Sequence, residues 1–381
     1  MKIGALLPRS TFHPLLHHDF LQGIQAYLQY QQIKADMLTG NIGYGTDADL
    51  IAAEAEKMLL ENRVDLLIIY ADQDTVKKTA DLAKALNRLI ILVHSGAKYI
   101  HDWEPHPAVL SHTLNHTIQC RLTGLYAGKL APQAAVCTSY YDGGYSHSHT
   151  MTEAYIKHGG AIAYNYVSQY KVKDFDTTPL RQFLQTNSDV QTLLALFNGD
   201  LAHCFLQQLQ ESEAAQHLQI FGSPMLLDET LTTTYGTLQL PFRIIGYVPW
   251  VSTLNNHQNQ LLKTQFQQYT GRDANLPGMH GWSTGIMLGH IYHTTDTHQF
   301  RAKDILTAFY DVTLDSPRGH LRMDPDTHHM IAPAYLVQTN EAHEPEVTGS
   351  TALTLQIWQE IVQEQSNMAP SSGWINTYLC A

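Results

Sequence analysis

Ser95-Gly96-Ala97 follows an apolar run and joins a hydroxyl to sterically open backbone amides, a donor set suited to a carboxylate or amide oxygen. Other reactive or charged side chains stand at turns. Asp200 has the charge to pair with an ammonium group, or it caps the helix that follows. Arg9 and Asp72 either approach a ligand or face solvent. This is binding chemistry. No Gly-x-Ser-x-Gly elbow, phosphate-binding Gly-rich loop or dinucleotide fingerprint occurs, and paired carboxylates alone are too common to imply catalysis. No cofactor is expected. The 22 histidines raise the question of a metal, with His17-His18, His147-Ser-His149 and His328-His329 as the densest groups. Adjacent residues project differently and none makes the i,i+4 pair of a helical zinc site, so scattered surface or turn histidines without a metal are expected.

The elements that position these residues read as alternating strands and helices. Lys2–Pro8, Ile33–Leu38, Val64–Tyr70 and Arg88–Val93 are apolar runs, the last two continuous enough for parallel strands covered on both faces. Helical spacing places Leu16, Phe20, Ile24 and Leu28 on one face, and Ile51, Ala55, Met58 and Leu59 on another. A further helix is expected from about Thr75 to Leu86. After a helix near Asn115–Leu130 the pattern restarts, with strands at Ala134–Ser139, Ala161–Val167, Val190–Phe197 and Leu218–Phe221. One more strand follows near Arg243–Val248, then helices near His257–Gln268 and from about Gly281. Open α/β sheets bind ligands beyond the carboxyl ends of their strands. Those ends are Pro8–Ser10, Asn41–Gly45, Ala71–Asp74 and His94–Ala97 in the first series, and Tyr140–Tyr145, Asn198–Asp200 and Gly222–Pro224 in the second.

A chain of 381 residues, 44% hydrophobic and 15% charged, is long enough for two domains with ample cores. Its formal charge of −12 and lack of a basic cluster argue against nucleic acid. No apolar run approaches the ~20 residues that span a bilayer. The first strand begins at Ile3, so either a leader has been removed or the protein stays in the cytoplasm. Cys120, Cys137, Cys204 and Cys380 lack metal-type spacing and read as inert thiols.

Near the C-terminus, Ser316-Pro-Arg-Gly319 forms a tight turn, Asp324-Pro-Asp326 a second break, and Pro333-Ala-Tyr-Leu-Val337 a final strand. With His17-His-Asp-Phe-Leu-Gln-Gly-Ile24, Tyr141-Asp-Gly-Gly-Tyr145, His158-Gly-Gly160, Asp174–Leu180 and Gly281-Trp-Ser-Thr284, in that order, the chain resembles the type I periplasmic binding proteins, the branched-chain amino acid and amide receptors, over residues 1 to 340. The resemblance implies two doubly wound parallel-sheet α/β domains joined by three hinge crossings. By analogy, one lobe holds residues 1–117 and 248–331 and the other 118–247 and 332–381, with crossings near Leu114–Thr117, Gly246–Pro249 and Ile331–Pro333. It implies a non-catalytic receptor for a small polar ligand and an ABC importer as partner, which suits a periplasmic location. It places the ligand-holding loop at Ser95–Ala97 and aligns Tyr145 with a tyrosine that covers ligand; packing under its own turn is the other reading. Amino-acid receptors of this kind carry an acid after the fourth strand of the second domain. Gly222-Ser-Pro-Met225 has none, which argues against an α-amino acid. A cytoplasmic sensor of the same fold, and an enzyme on an α/β scaffold, are the alternatives.

Overall fold

The computed structural model describes residues 1–97, 105–140, 146–295 and 300–365. Two sheets organise them. The first is built from β1 (Lys2–Leu7), β2 (Asp36–Asn41), β3 (Leu66–Tyr70), β4 (Leu89–His94) and β5 (Val109–Thr113). The second takes β6 (Gln133–Ser139), β7 (Ala161–Ser168), β8 (Thr192–Leu196), β9 (Gln219–Gly222) and β10 (Arg243–Val248). Then β11 (Thr313–Ser316), β12 (Gly319–Asp324) and β13 (His329–Ile331) return to the first sheet, and β14 (Ala334–Thr339) and β15 (Pro345–Thr351) to the second.

The strand orders are β11-β12-β13-β5-β4-β3-β1-β2 and β15-β14-β10-β9-β8-β6-β7. Each has a parallel heart, with antiparallel strands added at one side by the late part of the chain. Every residue of β3, β4 and β5 is buried, which is why β3 and β4 read as unbroken apolar runs. The Ser316–Gly319 turn joins β11 to β12, and the Ser316 hydroxyl donates to the Gly319 carbonyl at 2.7 Å.

Several elements differ from the sequence expectation. β2 begins three residues later than the expected Ile33. The late helix starts at Leu276, not Gly281, because Pro277 fits a helical first turn and the Asn275 side chain caps the Gly278 amide. Gly281 instead lies mid-helix, where a Cβ would come within 1.9 Å of the Phe20 carbonyl oxygen. Together with Gly23, whose Cβ would meet the Gly278 oxygen at 2.1 Å, it lets this helix lie against Leu16–Tyr30 backbone to backbone. The tail, uninformative in sequence, supplies β15 and the helix Thr354–Gln365.

The chain passes between the sheets after β5, after β10 and between β13 and β14. Asn115 ties the first and last passages together. Its amide nitrogen donates to Thr113 Oγ1 at 2.8 Å and to the Met330 carbonyl at 3.1 Å, and its side-chain oxygen accepts the Ala332 amide at 3.3 Å. Ile118, Leu122, Ile331, Ala334, Ile357, Trp358 and Ile361 form an apolar cluster beside it.

Candidate functional site

The Ser95–Ala97 loop leaves the carboxyl end of β4 and is held from beneath. Gly96 has φ +75, a conformation that favours glycine, and its amide donates to His94 Nδ1 at 3.1 Å. Its carbonyl accepts both the Thr117 amide, at 3.0 Å, and the Thr117 hydroxyl, at 2.6 Å, while the Ser95 carbonyl accepts the His116 amide at 3.1 Å. Ser95 and Ala97 are buried. The loop is therefore anchored to the start of the helix His116–Leu130, and the Gly96 amide is already engaged by an imidazole.

The second sheet reaches this loop directly. Ser146, first residue of the helix Ser146–Lys157, donates its hydroxyl proton to the Ala97 carbonyl. Phe12, in the loop after β1, lies on Gly199; a Cβ there would sit 2.4 Å from the ring, and φ at Gly199 is +53. His13 Nε2 is 3.8 Å from Asp228 Oδ2, and Thr230 Oγ1 is 3.4 Å from His13 Nδ1. The two strand-end edges thus touch at several places among the described residues. Phe12, His13, Ser146 and Asp228 were not singled out by sequence reasoning.

The expected residues fall unequally. Ser95, Gly96 and Ala97 are brought to the junction. Asp72 is buried rather than solvent-facing, and its carbonyl accepts the amide and hydroxyl of Thr75 at 3.1 and 2.6 Å. Asp200 lies half-buried in the first turn of the helix Gly199–Gln210. Burial raises its carboxyl above the ordinary range, opposed by the amides of Leu201 and Asp200 itself, as for a helix-start carboxylate. Arg9 is exposed, and its amide donates to the Gly43 carbonyl at 2.6 Å. Tyr145, with the rest of Tyr141-Asp-Gly-Gly-Tyr145, lies outside the described residues. Gly222-Ser-Pro-Met225 holds no acid; three residues on, Asp228 is buried and close enough to help burial raise the Tyr70 phenol.

Some histidines also depart from expectation, while His17, His18 and His149 lie exposed as expected. His94, His112, His116, His147, His280 and His329 are buried instead of lying at the surface. Desolvation holds His112, His116 and His280 well below the usual imidazole range and pushes His147 and His329 down to about 3. Among the described residues, no group of three or more histidine, cysteine, aspartate or glutamate side chains is placed to hold a metal. Cys120 and Cys137 are buried.

A groove of about 1170 Å³ opens to one side, between the loops after β1 and β9. Ser95, Gly96, Ala97, Asp72, Asp200 and Arg9 do not line it. Several of its polar groups satisfy one another: Arg272 and Asn275 donate to Asp19, and Ser252 donates twice to Glu229 at 2.8 Å. Groups already paired offer a ligand little net gain, so volume alone does not outweigh the strand-end junction.

Known structures share the architecture. An ABC transporter substrate-binding protein from Sphaerobacter thermophilus superposes with a TM-score of 0.76 at 15% identity, covering 92% of this chain and 97% of that one. A solute-binding protein from Rhodopseudomonas palustris HaA2, in complex with p-hydroxybenzoic acid, gives 0.76 at 15%, covering 92% and 96%. An ABC-type branched-chain amino acid transporter from Rhodopseudomonas palustris CGA009 gives 0.71 at 14%, covering 97% and 99%. No curated protein matches the sequence significantly. Among the described residues, no helix is long and apolar enough to cross a membrane. A periplasmic binding protein model matches residues 1–344, and with the paired sheets and their three crossings it gives the conclusion that the chain belongs to the periplasmic binding protein family, with the type I fold of these structures.

Proposed function

We propose that the protein is a non-catalytic solute receptor that closes two lobes on a small polar ligand and presents the closed form to an ABC importer outside the cytoplasmic membrane. One lobe comprises residues 1–117 and 248–331, the other 118–247 and 332–381. The observation that carries this reading is the meeting of Ala97 with Ser146, because it joins the strand-end loops of the two sheets where open α/β folds take their ligands. Ser95, Gly96, Ala97 and Tyr145 hold the ligand, Asp72 and Asp200 shape its polar surroundings, and Arg9 lies at the rim. The structures that resemble this chain support an organic acid or amino acid as ligand. A molecule bound across both lobes favours the closed state by its differential contacts.

The test is a thermal-shift screen of small aromatic acids, amino acids and their amides. A true ligand raises the melting temperature by stabilising only the folded chain, by RT ln(1 + [L]/Kd). Ser95→Ala and Tyr145→Ala are expected to reduce that shift. If both leave it unchanged, the ligand lies elsewhere.

A further inference from the structure

Arg318, in the turn between β11 and β12, is fully buried. Its Nη2 donates to the Thr113 carbonyl at 2.7 Å, but Nε and Nη1 have no hydrogen-bond partner. No carboxylate among the described residues pairs with it. The groups that sense its charge are the imidazoles of His112, His116 and His280 and the phenol of Tyr335. Burial pulls the guanidinium down to about 9, so it stays charged at neutral pH. A buried cation without a counter-charge is costly, and folds rarely retain one idly.

Its position gives it a use. The carbonyl that holds Arg318 belongs to Thr113, which pairs with His94 across β4 and β5. His94 accepts the Gly96 amide, and a Cβ at Gly96 would lie 3.1 Å from Thr113 Oγ1. The guanidinium therefore stands behind the Ser95–Ala97 loop, one strand away. Its orphan nitrogens have no accessible surface, so compensation reaches them through space from an anion at the loop, not by contact.

We propose that Arg318 is a specificity-determining positioning residue: its charge, paired with no carboxylate among the described residues, makes the Ser95–Ala97 loop select a ligand that presents a carboxylate there, in preference to the neutral amide of the same shape. This rests on the receptor reading above. It adds a residue that does not touch the ligand, on a hairpin outside the strand-end loops.

The test is calorimetric titration of two matched pairs, 4-hydroxybenzoate with 4-hydroxybenzamide and leucine with leucinamide, into the full chain and into Arg318→Met and Arg318→Lys. The wild-type chain is expected to prefer the acid of the pair it binds. Arg318→Met should lower that acid-to-amide preference about tenfold, the scale of one charge acting through a medium of intermediate dielectric, and leave amide affinity unchanged. Arg318→Lys should restore the preference. Parallel loss of acid and amide binding in Arg318→Met would make Arg318 only a support for the hairpin and overturn the proposal. So would equal binding of acid and amide by the wild-type chain, a result that needs no variant to fold and leaves the receptor reading standing. Binding of none of the four probes by the wild-type chain, with no stabilising compound in the wider screen, would remove the receptor reading as well.

Discussion

At the crossings, Asn115 makes three side-chain bonds spanning the first and last passages, and seven apolar residues close around them. At the strand ends the contacts among the described residues include a hydroxyl on a carbonyl, a ring on a glycine, a histidine–threonine contact at 3.4 Å and a histidine–carboxylate pair 3.8 Å apart. Apolar burial of the first kind contributes several times what a single neutral hydrogen bond does. One side can thus stay joined while the other parts. A two-lobed receptor needs that asymmetry, since closing contacts too strong to break would hold the cleft shut without ligand.

Acid should break both sides at once and produce the largest effect. Burial depresses the imidazoles of His112, His116, His147, His280 and His329, so each stays neutral in the folded chain while its unfolded counterpart takes a proton below about pH 6.5. Their contribution is fully present above that pH and is lost as pH falls, by up to about 1.4 kcal/mol per pH unit for each histidine. The raised carboxyls of Glu229 and Asp200 act in the opposite sense, but in the carboxylate range at lower pH. Urea unfolding between pH 7.5 and 5.5 should show a steep fall in stability. A flat profile would mean that these histidines are hydrated or already protonated in the folded chain.

Trp358→Ala should damage the crossing side alone. The indole is buried, lies tilted against His329 with ring centroids 4.7 Å apart, and donates to Thr327 Oγ1 at 3.0 Å. Removing it is expected to cost about 3 kcal/mol or more, measured by urea unfolding. A loss below about 1 kcal/mol would show that the C-terminal helix does little to hold the crossings.

The difference between the two sides also explains what could be read from sequence. β10, buried only at alternate residues, has the bounds expected, and β3 and β4 were legible because local composition decides them: a run covered by neighbours on both faces is apolar throughout. β5 was not, because Ser111, His112 and Thr113 are polar residues buried only by what tertiary structure lays over them. The Ser95–Ala97 loop was visible as the end of a strand. Its partners were not: Ser146 is 49 residues away from Ala97, and Thr230 is 217 from His13, with no spacing rule to connect either pair. Asp228 escaped because it lies past the strand end, in the turn that follows β9.

Ser146→Ala should have the smallest effect on stability and the most selective one. The substitution removes one hydroxyl from a helix start and leaves the Ala97 carbonyl without that donor. Its net cost is about 1 kcal/mol, paid only in the closed form, because in an open form water can take the hydroxyl's place. The unliganded chain should therefore melt nearly as the wild type does, while ligand affinity falls about fivefold, since a penalty confined to one state is read by whatever selects that state. Calorimetric titration paired with urea unfolding separates the two readouts. If stability falls as much as affinity, the Ser146 contact belongs to the permanent framework, and the distinction between a durable hinge and a reversible cleft fails at the loop where it matters most.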